Sequence, residues 1–172
     1  MSYQMHSIKV LLVEDNAAML ELVKSLLLSF GIITVFTADS AEKAFDVVKH
    51  KNPDLVITDW MLKPTDSIAL TRRIRTDKNT PNEFVPIIMM TGFSEAARVI
   101  NARDCGITEY LVKPFTARDL YRRLVECIEK PRQFVRCEDF FGPDRRRHET
   151  ANFQGVDRRI APILREKEEI YI

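Results

Sequence analysis

Five short apolar runs, each closing on polar residues and each followed by a stretch of helical periodicity, constrain the fold of this chain more than any other feature. Ile8-Lys-Val-Leu-Leu-Val13, Ile33-Thr-Val-Phe-Thr37, Leu55-Val-Ile-Thr58, Pro86-Ile-Ile-Met-Met90 and Tyr110-Leu-Val112 are too short for helices and mostly rich in β-branched residues. That is the pattern of strands buried on both faces. From Asn16, a good N-cap, Leu20, Val23, Leu27 and Phe30 follow helical spacing as far as Gly31. Ser40 to His50 predicts a second helix with Ala41, Ala44, Val47 and Val48 inward, and Ser67 to Arg75 a third. Ser94 can cap a fourth carrying Ala97, Ile100 and Ala102 and stopping near Gly106. Thr116-Ala-Arg-Asp119 has the form of a capping box, opening a fifth with Leu120, Leu124, Cys127 and Ile128 on one face. Five such βα units predict an α/β domain: a five-stranded parallel sheet with helices on both faces.

Composition removes several classes of function. With Lys+Arg 26 against Asp+Glu 25 in 172 residues, the net charge of +1 supplies no bulk attraction to nucleic acid or anionic membrane. No apolar run approaches the roughly 18 to 20 residues that span a bilayer, and Met1 to Ser7 lacks the pattern of a secretory leader. Cys105, Cys127 and Cys137 are odd in number and show no C-x-x-C spacing, so they are expected to be reduced thiols of a cytoplasmic protein.

Three segments are expected: a lead over 1–7, the α/β domain over 8–130, and an extension over 131–172. The extension contains an internal echo. Phe140-Phe-Gly-Pro-Asp-Arg-Arg146 and Phe153-Gln-Gly-Val-Asp-Arg-Arg159 both read F-x-G-x-D-R-R. Ala161 to Ile170 has the spacing of one short helix, with Ile163, Leu164 and Ile170 on a face.

In an open parallel sheet, reactive groups gather beyond the carboxyl ends of the strands. Here those ends carry Glu14-Asp15, Asp59, Thr91 and Lys113. Singly, an acidic pair caps a helix, a threonine satisfies backbone and a lysine is a solvated charge. At successive strand ends they form a set. Converging carboxylates repel and call for a cation, and a hard ion such as Mg²⁺ takes oxygen ligands while keeping several waters. A carboxylate so placed can act as a nucleophile toward phosphorus, with a lysine and a hydroxyl neutralising the phosphoryl oxygens.

With these motifs, residues 8–130 resemble the receiver domain of bacterial two-component response regulators, the CheY-like family. The resemblance implies a doubly wound sheet of order 2-1-3-4-5. It implies Mg²⁺ held by Glu14, Asp15, Asp59 and the backbone carbonyl of Met61, with Asp59 as phosphoacceptor. Thr91 would be the switch hydroxyl, Lys113 the phosphate-contacting lysine and Tyr110 the switch aromatic. A cis peptide is implied before Pro114. Met61 and Phe93 would flank the path of the hydrolytic water, and two bulky apolar side chains there predict slow loss of the phosphoryl group. The chain departs from the family twice: the usual Met-Pro after the phosphoacceptor becomes Leu62-Lys63-Pro64, and Ser67 stands where glycine is common. Gly92 keeps the family's small residue after the switch hydroxyl.

The implied protein is a signalling phosphoacceptor rather than an enzyme acting on a metabolite. Its implied partners are a histidine kinase or histidine phosphotransfer protein, and a downstream protein target. A homodimer through the fourth predicted helix, fifth strand and fifth helix, or through the extension, is a further expectation. In the extension, Phe140, Phe141 and Phe153 are candidate anchors and Arg145, Arg146, Arg158 and Arg159 candidate partners for carboxylates. Packing on the domain itself or across a dimer is favoured over recruitment of a third protein. The alternative, a DNA-binding regulator using those arginines, is disfavoured: residues 131–172 hold nine basic and eight acidic residues and no helix-turn-helix pattern. A small phosphatase using Asp59 as nucleophile lacks an insertion that could enclose a substrate.

Overall fold

The computed structural model describes residues 5–92, 105–137, 140–144 and 169–171. Five strands, β1 (Lys9–Val13), β2 (Thr34–Ala38), β3 (Leu55–Asp59), β4 (Ile87–Gly92) and β5 (Glu109–Lys113), form one parallel sheet in the order β2-β1-β3-β4-β5. The doubly wound order implied by the resemblance is therefore the order observed. The α-helices among the described residues are α1 (Ala17–Ser29), α2 (Ala41–Lys51), α3 (Ser67–Thr76) and α4 (Ala117–Glu129). The helix expected from Ser94 lies outside the described residues.

The apolar runs are continuous because alternate side chains feed two different cores. Val10, Leu12, Leu55, Ile57, Ile88 and Met90 point to one side, where Val23 and Leu27 of α1 and Leu120, Leu124 and Cys127 of α4 close over them. Leu11, Val13, Val56 and Ile87 point to the other, beneath Ala44, Phe45 and Val48 of α2 and Leu70 and Ile74 of α3. Phe45, absent from the predicted inward set, is the bulkiest of these and almost fully buried. Each helix starts where a side chain accepts from an otherwise unpaired amide: Asn16 from Met19, Ser40 from Lys43, Asp66 from Ala69. Thr116 and Asp119 complete the expected capping box. Peptide bonds preceding Pro64 and Pro114 are both cis. Cys105 and Cys127 are buried, and burial, followed by the charge of Glu109, pushes the Cys127 thiol up to about 12.

The extension has more order than its sequence suggested. Strands β6 (Phe134–Cys137) and β7 (Phe140–Pro143) form an antiparallel pair, and β8 (Glu169–Tyr171) adds to the other edge of β6. This corrects the expected helix at its end: Glu169–Tyr171 is a strand, with Ile170 paired to Val135. A helix as short as the expected one is marginal on its own, whereas the open edge of β6 offers backbone partners at once. Residues 161–168 lie outside the described set.

The β6–β7 pair is packed onto the α/β domain. Phe84, in the loop before β4, meets Phe134 and Phe141 edge-on, with ring centroids 5.3 and 5.4 Å away. The Arg75 guanidinium, buried and 5.0 Å from the Phe134 ring, donates to the carbonyls of Gly106 (3.0 and 2.8 Å) and Glu83 (2.6 Å). Desolvation lowers its pKa to about 9. Arg132 pairs with the buried carboxylate of Glu109, which Arg123 of α4 also holds at 3.1 Å, and Arg136 pairs with Glu83 at 2.8 Å. Phe140 and Gly142, two apart on a strand, share a face. A Cβ at Gly142 would meet the Phe140 ring at 2.8 Å and the Gly106 Cα at 2.7 Å, which accounts for the F-x-G spacing in the first copy. Arg145, Arg146, Phe153, Arg158 and Arg159 lie outside the described residues.

Because this contact leaves no room for a side chain, Gly142→Val is expected to lower the unfolding free energy of the whole protein by about 1–3 kcal/mol. An unchanged denaturant midpoint would show that the hairpin is not part of the cooperative unit.

Candidate functional site

The carboxyl ends of β1 and β3, adjacent parallel strands, bring three carboxylates into one cleft. Ligand oxygens of Glu14, Asp15 and Asp59 all lie within 4.8 Å of one another. Glu14 is 2% exposed and Asp59 9% exposed, while Asp15 faces solvent. Lys113, at the end of β5, reaches across the mouth of β4: its Nζ stands 2.6 Å from Asp59 Oδ1 and 3.2 Å from Glu14 Oε2. The Asn16 amide donates to Glu14 Oε1 at 3.1 Å, so the residue that caps α1 also orients the buried glutamate.

The electrostatics follow from this geometry. Burial raises the Glu14 pKa above its ordinary value, and the nearby charge of Asp59 pushes the same way against the bonds from Asn16 and Lys113. For Lys113, burial acts against the ammonium. The hydrogen bond and charge of Asp59, then the charge and hydrogen bond of Glu14, outweigh it and hold its pKa above the ordinary 10.5. Among the described residues one cation thus faces three acids, leaving excess negative charge that a hard divalent ion is suited to neutralise. The oxygen-only donor set and close spacing fit Mg²⁺, which needs only one or two carboxylates beside its waters.

The remaining predicted residues fall around this cleft. Thr91 is fully buried at the end of β4, one residue beyond the Met90 that pairs with Asp59, and its hydroxyl donates to the Gly92 carbonyl at 3.2 Å. Tyr110, half-buried, packs against the cluster of Trp60, Met89 and Ile107. The Met61 side chain is 54% exposed. Phe93 lies outside the described residues, as do the tail arginines and Phe153; Phe140 and Phe141 are half-buried in the docked hairpin. Two features escaped the sequence reading. Ser67 is buried beneath Asp59, and its only signal was the departure from glycine. The Glu109 pairs with Arg123 and Arg132 carried no signal, since nothing local marks partners 14 and 23 residues apart.

Fold and cleft define a doubly wound α/β domain whose acidic strand ends are bridged by a lysine. The family model described as "Response regulator receiver domain" matches residues 10–125. The chain belongs to the response regulator receiver family. It is 32% identical over 124 residues to the chemotaxis protein CheY-3 of Vibrio cholerae, an alignment covering 72% of this chain and 94% of that one. A response regulator from Chloroflexus aurantiacus superposes with a TM-score of 0.66 at 28% identity, covering 72% of this chain and 98% of the other. The receiver domain of the sensor histidine kinase PA1611 from Pseudomonas aeruginosa, solved with magnesium in its active-site cleft, gives 0.62 at 29% identity, covering 69% and 95%. No helix among the described residues is long and apolar enough to cross a membrane.

The balance of charge in the cleft is directly testable. Lys113→Met leaves the carboxylates facing one another, so in EDTA it is expected to cost about 1–2 kcal/mol, discounted for the partial exposure of the lysine. Because the folded pKa of Lys113 is raised, its contribution is fully present below the ordinary 10.5 and is lost only as pH rises through the folded value. The deficit should therefore be constant through neutral pH and narrow when Mg²⁺ is added, as followed by thermal unfolding.

Proposed function

We propose that this chain is a phosphorylation-activated response regulator of a two-component relay, accepting a phosphoryl group on Asp59 and signalling through protein contacts. The observation that carries the reading is the grip of Lys113 on Asp59 Oδ1 at 2.6 Å beside Glu14 and Asp15. In the transfer, an Asp59 oxygen bonds to phosphorus. The bond from phosphorus to the imidazole nitrogen of a phosphohistidine breaks, and the departing nitrogen keeps the electron pair. Lys113 would trade part of its contact with Asp59 for a phosphoryl oxygen, and Thr91 would offer its hydroxyl to another. Glu14, Asp15, Asp59 and the Met61 carbonyl would hold Mg²⁺, which when bound would supply electrostatic neutralisation of the transferred group. The donor is a histidine kinase or histidine phosphotransfer protein, and the setting is the cytoplasm.

The output belongs to the region of Tyr110. Inward movement of Thr91 alters the packing available to Tyr110 and with it the β5–α4 face, where Val112 exposes apolar surface. A downstream protein with different affinity for the two forms, or a second copy of the chain, reads that face. The extension is assigned to packing on the receiver, which the Phe84–Phe134–Phe141 cluster supports. This reading makes the protein a signal carrier with no metabolite substrate and with no need of nucleic acid.

Trp60, the single tryptophan and the neighbour of Asp59, provides the test. Its fluorescence should change with Mg²⁺ and again with beryllofluoride or acetyl phosphate, and Asp59→Asn should abolish the second change. Absence of any response in the wild type would sink the assignment. The apolar pair Met61 and Phe93 further predicts a long-lived phosphoprotein; hydrolysis within seconds in the absence of a phosphatase contradicts it.

A further inference from the structure

Ser67 ties the start of α3 to the end of β3 through bonds that a glycine could not all make. It is fully buried, as are Thr58 and Thr71. Its amide donates to the Trp60 carbonyl at 3.3 Å, and its hydroxyl donates to the carbonyl of Asp59 itself. Thr58 Oγ1 lies 2.7 Å from the Ser67 hydroxyl and 3.1 Å from the same Asp59 carbonyl. The Thr71 hydroxyl donates to the Ser67 carbonyl at 2.7 Å. Three hydroxyls, the Ser67 amide and the carbonyls of Asp59, Trp60 and Ser67 therefore satisfy one another without solvent. In a dry network of this kind each member's position is set by the others.

The network acts on the main chain from which the Asp59 carboxylate projects and which leads directly into Met61. We infer that Ser67 is a positioning residue for the phosphoacceptor. Its hydroxyl and amide hold the Asp59 and Trp60 peptide units so that the carboxylate and the Met61 carbonyl are presented together to the cation. This deepens the proposed function and rests on it. It also joins the two departures from the family pattern: the loop with its displaced proline runs from Leu62 to Asp66, and Ser67 is the residue that fastens the far end of that loop back to Asp59.

The removal of a hydrogen-bonding partner behind a metal-ligating group typically weakens metal binding by about 10–100-fold. In the full-length protein, Ser67→Ala is expected to raise the Mg²⁺ midpoint read from Trp60 fluorescence by about tenfold, and to weaken the beryllofluoride response in parallel. Ser67→Gly, which removes the hydroxyl and leaves no side chain to misfit, should show the same weakening. Thr71→Val removes a hydroxyl from the same buried network on the side away from Asp59. It should lower the melting temperature and leave the Mg²⁺ midpoint at the wild-type value. The inference is overturned if Ser67→Ala and Ser67→Gly keep the wild-type midpoint, or if Thr71→Val shifts it equally, which would mark general loosening. A wild type with no Mg²⁺ response overturns the phosphoacceptor reading itself, and this inference with it.

Discussion

Repulsion among Glu14, Asp15 and Asp59 is the constraint around which the rest of the molecule is arranged. Carboxylates so close, with Glu14 almost wholly withdrawn from water, are costly in any isolated fold. They persist because the parallel sheet brings Lys113 across from β5 and because the amide of Asn16, the cap of α1, supplies a donor. Among the described residues, one ammonium faces three acids and cannot balance them. The surplus suits the cleft to a divalent cation and, in the proposed reaction, to a group that arrives with cationic help. Stability is thus sacrificed locally and recovered in the two apolar cores that flank the sheet.

The two ends of the sheet carry different kinds of polar machinery. At the carboxyl ends the groups are charged, partly wetted and free to exchange partners. Beneath them the Thr58–Ser67–Thr71 network is neutral, dry and internally satisfied, a support that does not titrate. At the opposite ends of β4 and β5, Arg75 spends its donors on the backbone carbonyls of Glu83 and Gly106, and Glu109 is held between Arg123 and Arg132. The hairpin of the extension closes over that end, away from the cleft. A buried guanidinium bonded to backbone carbonyls is expensive, but it fixes the loops that lead into both strands and gives the Phe134 ring a cation to rest near.

Much of the fold was legible because local chemistry and global architecture agree. The continuous apolar runs announced strands buried on both faces, and Asn16, Ser40 and Thr116 announced helix starts that the structure confirms as caps. The acidic pair and Asp59 were legible because strand ends in a parallel sheet share one edge. Glu169–Tyr171 was misread because helical spacing over a few residues carries little energy beside an available strand edge. Phe45 was overlooked since aromatic side chains fit helical and strand patterns alike. The role of Ser67 was hidden, because a serine at the head of a helix reads locally as a cap, and the carbonyl it serves lies eight residues away across a loop.

The sequence by itself determined the elements, their order along the chain and the kind of residue standing at each strand end, since periodicity and capping act within a few residues. Only the tertiary structure decided who meets whom. Lys113 finds Asp59 across 54 positions and Glu14 across 99, and the hairpin finds Phe84 and Arg75 at the far end of the same sheet. Such pairings depend on strand order, register and which face each helix covers. These are properties of the assembled sheet, set by burying two cores at once, and no single segment carries them.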